Sequence, residues 1–337
     1  MKSIFVKKIS FAKSLVLIAL SVACTFFIMN YIFFGSFFSQ SSSLITTKTT
    51  TQNCDTEIKR LNGLSYVKPL MFVDNECESE ELAPIKQRIN QLIEENKQLG
   101  NLISASVYLR SYSKNGWMGI NENDKYSPGS LLKVPVLITI LKMKEQNPAL
   151  LEKCLSFDHP FQTNKTTHIL SNQIQLGHKY QIKELLTYMI VYSDNNATNL
   201  LNTFIDVNVL KKIFTDFGLS APDWNSNNYP ISPKDYSLFM RAIYNATYLS
   251  NEDSEFAAEL LAHTNFRNGL LRNLPEFVHV AHKFGEGGDS REPELSESAI
   301  VYLDNKTYLL TVMTKGKEIK KLEDVLSEIS EIIYQSL

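Results

Sequence analysis

The strongest pattern in the chain is an apolar run near its start. Leu15 to Phe34 is almost continuously apolar, and no acidic or basic side chain occurs between Ser14 and Thr47. A run of this length can cross a bilayer. Lys2, Lys7, Lys8 and Lys13 precede it, and positive charge of this kind stays on the cytoplasmic side. The expectation is a cytoplasmic tail over 1–13, a membrane-spanning anchor over 14–36 and an extracytoplasmic remainder. A cleaved signal peptide is the alternative, but no small-x-small cleavage site follows the run. Phe37 to Asn53 is rich in Ser, Thr and Gln, the composition of a flexible tether. Residues 37–81 are therefore read as a stalk. Cys54 and Cys77 flank a short segment of it; in an oxidising compartment they could pair, and otherwise they are free thiols.

Beyond the stalk the pattern predicts one domain over 82–337. Ile85, Ile89, Leu92 and Ile93 have helical spacing, and Pro84 suits a first helical turn. Ile103 to Arg110 alternates as a strand does. Asn115-Gly116 signals a hairpin, with Trp117 to Ile120 returning. From Ser130 to about Leu261 the pattern is mostly helical. Strand signals resume at Val278–Phe284, Ala299–Leu303 and Tyr308–Met313. A final stripe of Ile319, Leu322, Val325, Leu326, Ile329, Ile332 and Ile333 marks a long amphipathic helix. The implied fold is α/β in the α+β sense: a five-stranded antiparallel sheet with terminal helices on one face, plus an all-helical lobe.

Composition narrows the functional classes. The chain has 34 Lys+Arg against 36 Asp+Glu. Removing the four lysines before the anchor leaves 30 basic residues, so the part from position 14 onward is net −6. Such a surface lacks the basic footprint of a nucleic-acid binder. The common phosphate-binding loops are absent. No C-x-x-C or H-E-x-x-H occurs, so neither a metal nor a cofactor is expected. Of the six histidines only His282 lies near the chemistry described next, and a core or surface role is expected for all six.

Three short motifs carry the candidate chemistry. In Ser130-Leu131-Leu132-Lys133, serine and lysine three residues apart share a helix face, and a strongly apolar helix follows. A lysine desolvated by such neighbours can lose its proton and serve as base to a serine hydroxyl. A serine at a helix start also has backbone N–H groups beside it that suit an oxyanion. Ser193-Asp194-Asn195 reads as a turn between helices, offering a second hydroxyl and an amide. Lys283-Phe284-Gly285 closes an apolar strand, placing a cation and a glycine where a substrate can approach. Each motif alone has an ordinary reading, as N-cap, turn or solvated strand end.

In this order, with 63 and then 90 residues between their first members, the three motifs resemble those of the serine β-lactamase and penicillin-binding protein superfamily, nearest the class A type. The resemblance spans roughly Leu82 to Leu337. It implies that Ser130 is the acylated nucleophile and Lys133 its general base. Ser193 would pass a proton to the leaving nitrogen, and Asn195 would contact substrate and Lys133. Lys283 would support Ser193 and the substrate's negative end. Gly285 and Glu286 would border the substrate, with the backbone N–H groups of Ser130 and Glu286 forming the oxyanion hole.

Two departures qualify the substrate. The family usually has a hydroxyl residue at the position of Phe284, where it binds a substrate carboxylate. Class A enzymes also carry a loop glutamate that activates the deacylating water, whereas no glutamate lies between Glu184 and Glu252 here. The candidate loop, Ala221 to Ser232, offers only Asp223 as an acid. The expectation is a membrane-anchored serine hydrolase acting on an amide or ester, with a cell-wall peptide as default substrate and weak or no β-lactamase activity. The alternative is a catalytically inactive binding module displayed at the cell surface.

Overall fold

A computed structural model of the chain describes residues 54–161, 172–223 and 229–337. The expected tail, anchor and first part of the stalk lie outside these residues. Among the described residues, no helix is long and apolar enough to cross a membrane.

The structure corrects the reading of 54–81 as stalk. Strands β1 (Thr56–Arg60) and β2 (Leu70–Asn75) form an antiparallel hairpin, and Cys54 is disulfide-bonded to Cys77 across its base. Met71 and Phe72 are fully buried in the main core. The Phe72 ring lies edge-on to Phe217 and under the Arg241 guanidinium. Asp74 binds two buried arginines, Arg110 at 3.0 Å and Arg241 at 2.7 Å. The compact unit therefore begins at Cys54. The hairpin escaped notice because only two of its side chains enter the core, too few to set a period.

Helix α1 (Ala83–Gln98) takes Pro84 in its first turn and buries Ile85, Ile89 and Ile93. It packs with α8 (Ile319–Ser336), whose Leu322, Val325, Leu326, Ile329 and Ile333 are buried. Each such aliphatic side chain contributes roughly 1.5–3 kcal/mol by leaving water. Both helices cover one face of a five-stranded antiparallel sheet, ordered β4 (Trp117–Ile120), β3 (Leu102–Ser111), β9 (Tyr308–Gly316), β8 (Pro293–Tyr302) and β7 (His279–Gly288). The expected fold class is therefore observed.

The helical lobe packs on the opposite face. Helix α2 (Lys133–Lys144) buries every residue from Lys133 to Leu141, as an all-round apolar helix must. Around it lie α3 (Ile182–Ile190), α4 (Asn195–Asn202), α5 (Val207–Asp216), α6 (Pro233–Tyr244) and α7 (Asn251–Ala262). The sequence led to an all-helical lobe, but the lobe also holds strands. A small sheet pairs β5 (Cys154–Phe157) with β6 (His178–Gln181). Strands of four residues are too short for alternation to show.

One further difference positions the site. The strand expected over Val278–Phe284 runs on to Gly288, as the edge strand of the sheet. Its outer edge meets the 3-10 turn Gly129–Leu132 that leads into α2.

Candidate active site

Ser130 sits in that turn and is partly exposed, while Lys133 opens α2 and is buried. Ser193 lies in the turn between α3 and α4, and Lys283 lies mid-strand on β7. The fold brings all three motifs together. Lys133 Nζ donates to Ser193 O at 2.6 Å, Ser193 Oγ at 3.0 Å and Asn195 Oδ1 at 2.8 Å. Lys283 Nζ donates to the same Ser193 Oγ at 3.0 Å and to Phe284 O at 3.0 Å. A hydroxyl has two lone pairs and one proton. With both lone pairs taken by amines, Ser193 keeps its proton to offer outward.

The Ser193 backbone is held in the left-handed region, φ 55°, a costly conformation for a residue other than glycine. Its neighbours hold it there. Asp194 N donates to Tyr188 O at 3.0 Å, and Lys133 fastens the Ser193 carbonyl. Asp194 also caps α4, accepting from Asn196 N at 2.8 Å, and its other oxygen accepts from Ile174 N at 2.8 Å. Reading Asp194 only as a turn former missed this double anchorage, although its place inside the motif was a signal.

Electrostatics favour proton exchange here. Burial pushes the Lys133 ammonium down to about 7, while Asp194 and Glu286 oppose the fall. Burial pushes Lys283 well below the lysine range, and the nearby Lys133 charge adds to the effect. Burial raises the Asp194 carboxyl, against the pull of its amide donors and Lys133. Lys283 was not expected to be buried on the bland reading of a solvated strand end. It is completely enclosed.

The structure does not join Lys133 directly to Ser130. The Lys133 amine is turned towards Ser193 and Asn195, and no side-chain hydrogen bond links it to Ser130. Catalytic hydrogen bonds in unliganded sites are often loose until substrate arrives.

Glycines set the cleft's inner wall. A Cβ on Gly285 would lie 2.1 Å from Pro128 O and 3.0 Å from Ser130 N. A Cβ on Gly129, where φ is +52°, would lie 2.0 Å from Glu286 O, and one on Gly287 would lie 2.3 Å from Ser127 O. Gly285 thus admits the turn carrying Ser130, rather than substrate backbone as the sequence suggested. This contact brings the Glu286 backbone against the same turn.

Behind β7, His282 Nδ1 lies 2.7 Å from Glu297 Oε1, both fully buried. Glu297 Oε2 accepts from Leu270 N at 2.8 Å, and Thr264 Oγ1 donates to His282 O at 2.8 Å. His282 therefore has the expected core role. Asn265 N reaches Val191 O at 3.1 Å, so this segment ties β7 to the end of α3 near the Ser193 turn. Among the described residues, no cluster of His, Cys, Asp or Glu could hold a metal.

A sequence model described as the beta-lactamase enzyme family matches residues 84–337. No curated protein matches the chain. Many solved structures share its fold. A beta-lactamase from Chitinophaga pinensis is similar at 20% identity and TM-score 0.65, covering 75% of this chain and 99% of that one. A representative class A beta-lactamase from Bacteroides cellulosilyticus gives 16% identity and TM-score 0.66, covering 77% and 99%. The structure of PBP-A gives 19% identity and TM-score 0.64, covering 77% and 98%.

Proposed function

The chain belongs to the beta-lactamase enzyme family, and from that premise we propose that it is a membrane-anchored, extracytoplasmic serine hydrolase working through an acyl–Ser130 intermediate. One observation carries the proposal: two buried amines, Lys133 and Lys283, converge on one hydroxyl, Ser193 Oγ, beside a partly exposed Ser130. Burying a lysine is costly, and strongly lowered basicity in a cleft marks a candidate catalytic group.

In this reading, neutral Lys133 takes the Ser130 proton as Ser130 Oγ attacks an amide or ester carbonyl. The backbone N–H groups of Ser130 and Glu286 receive the developing oxyanion. Ser193 delivers its proton to the leaving group and takes back from Lys133 the proton that came from Ser130, across the Lys133 Nζ–Ser193 Oγ contact, with Lys283 holding Ser193 and Asn195 orienting Lys133. The leaving group departs and an ester to Ser130 remains. Among similar structures, a mutant of PBP-A is an acyl-enzyme complex with penicillin G, which supports this kind of intermediate. A cell-wall peptide is the substrate to test first, by family analogy alone.

The second step lacks a dedicated base. No glutamate lies between Glu184 and Glu252, and residues 224–228 of the candidate loop lie outside the described residues. In this reading Lys133 serves both steps, and Asp223 is the loop's one acidic alternative. The test is mass spectrometry of the protein after exposure to a serine-reactive probe and to a penicillin. The expected result is modification of Ser130 alone and slow loss of any penicilloyl adduct. Loss within seconds, with continuous release of hydrolysed drug, would show an efficient deacylation base. Absence of any Ser130 adduct would favour the non-catalytic binding module, the reading to which Phe284 lends weight. The anchor is tested separately: protease added outside intact cells should digest the domain, and full protection would refute this topology.

A further inference from the structure

Among the described residues, large apolar side chains exposed to water gather at one place. Ile58, Leu64, Tyr66, Val67 and Leu70 all fall on the β1–β2 hairpin and its tip, and Tyr66 is 99% exposed. The tip is a built loop. Leu61 N donates to Pro69 O at 2.9 Å, and Arg60 Nη1 donates to Lys68 O at 2.8 Å. Below it, Met71 and Phe72 are buried in the core and the Cys54–Cys77 disulfide closes the base. The hairpin therefore holds apolar groups out in water on a firm support. Exposed apolar surface gathered in this way marks a contact with a protein or a membrane.

Charge and chain connection favour the membrane. Residues 58–73 contain Lys59, Arg60 and Lys68 and no acid, although the chain from position 14 onward is net −6. The nearest acid, Glu57, meets Lys59 at 3.9 Å with both side chains exposed. Apolar side chains flanked by cations suit an anionic lipid interface. A second copy of the hairpin would instead set these three cations against their own counterparts. The chain enters the domain at Cys54, the hairpin's base. Only 19 residues separate Cys54 from Phe34, the end of the apolar run, and a chain of that length spans at most about 65 Å.

We propose that the tip of the β1–β2 hairpin docks on the anionic membrane surface, seating Leu64, Tyr66 and Val67 among lipid headgroups with Lys59, Arg60 and Lys68 against lipid phosphates. The nearness of that surface rests on the membrane-anchored reading of residues 14–36.

The experiment uses the full chain reconstituted into vesicles of phosphatidylglycerol and phosphatidylcholine. The vesicles carry traces of two photoactivatable lipids, one with its diazirine in the headgroup and one with it in the acyl chain. Labelled residues are mapped by mass spectrometry. Headgroup label over residues 61–70 should exceed that around Phe277, an exposed apolar reference on the same domain, by about tenfold, since interfacial binding grows with buried apolar area and opposite charge. Tyr66→Ser combined with Val67→Ser should bring this ratio towards one. Vesicles of phosphatidylcholine alone should lower it severalfold, as should high salt. A wild-type ratio near one, or a ratio unchanged in the double variant, would overturn the proposal. So would crosslinks between the hairpins of two copies in place of lipid label. Acyl-chain label over residues 15–34 reports the anchor separately. Its absence alongside a labelled hairpin would refute the anchor and leave the docking standing, and its presence with an unlabelled hairpin would do the reverse.

Discussion

Replacing Lys133 with alanine is expected to slow labelling of Ser130 by a serine-reactive probe by about 10²–10⁴-fold, the usual worth of a positioned general base. The fold should survive, because the change removes a buried amine whose charged form burial disfavours. The three acceptors on Lys133 make the loss more than removal of a base. Ser193 O, Ser193 Oγ and Asn195 Oδ1 would all lose their donor, and the strained Ser193 turn would lose one of its fasteners. In the wild-type protein the labelling rate should rise about tenfold per pH unit below pH 7 and level off above it. The sign follows from the base: only the neutral amine accepts a proton, and its fraction stops growing once pH exceeds about 7. Equal labelling of the wild type and Lys133→Ala, or a rate independent of pH between 5 and 8, would refute Lys133 as base.

The second large effect lies far from the chemistry. Asp74→Asn should destabilise the domain by about 3–5 kcal/mol, because Arg110 and Arg241 would keep buried charges without their shared carboxylate. Asp74 is about one-fifth exposed, so the lower end of that range is the better guide. A thermal melt should show a midpoint about 10 °C lower. A midpoint within a degree or two of wild type would mean that the hairpin contributes little to the domain. That result would rehabilitate the stalk reading of 54–81, which the disulfide and the buried Met71 and Phe72 argue against.

These two variants mark what could and could not be read from sequence. The sheet, the terminal helices and α2 were legible because Ile85, Ile89 and Ile93, or the unbroken apolar run of α2, repeat at spacings that only one element satisfies. The three motifs were legible because their order and separations match a known arrangement, although each alone is common. The β1–β2 hairpin was not legible: its place depends on Asp74 finding two arginines 36 and 167 residues away, and no local pattern records such a contact. The burial of Lys283 was hidden for a similar reason. Its amine is bonded to Ser193 Oγ, 90 residues away, and to the Phe284 carbonyl, and no local pattern records the first of these contacts. The direction in which Lys133 turns is set by Ser193 and Asn195, and spacing from Ser130 alone could not supply it.

The glycine seam between β7 and the turn carrying Ser130 divides the strand's positions into two steric classes. At 285 and 287 any side chain would strike the backbone oxygen of Pro128 or Ser127, and at 129 that of Glu286. No single substitution can widen the cleft from that side without first moving the nucleophile. The alternate positions, Phe284 and Glu286, carry no such constraint on backbone approach. A side chain can change at 284 or 286 while the distance from nucleophile to strand stays fixed, whereas one introduced at 285 or 287 would move it.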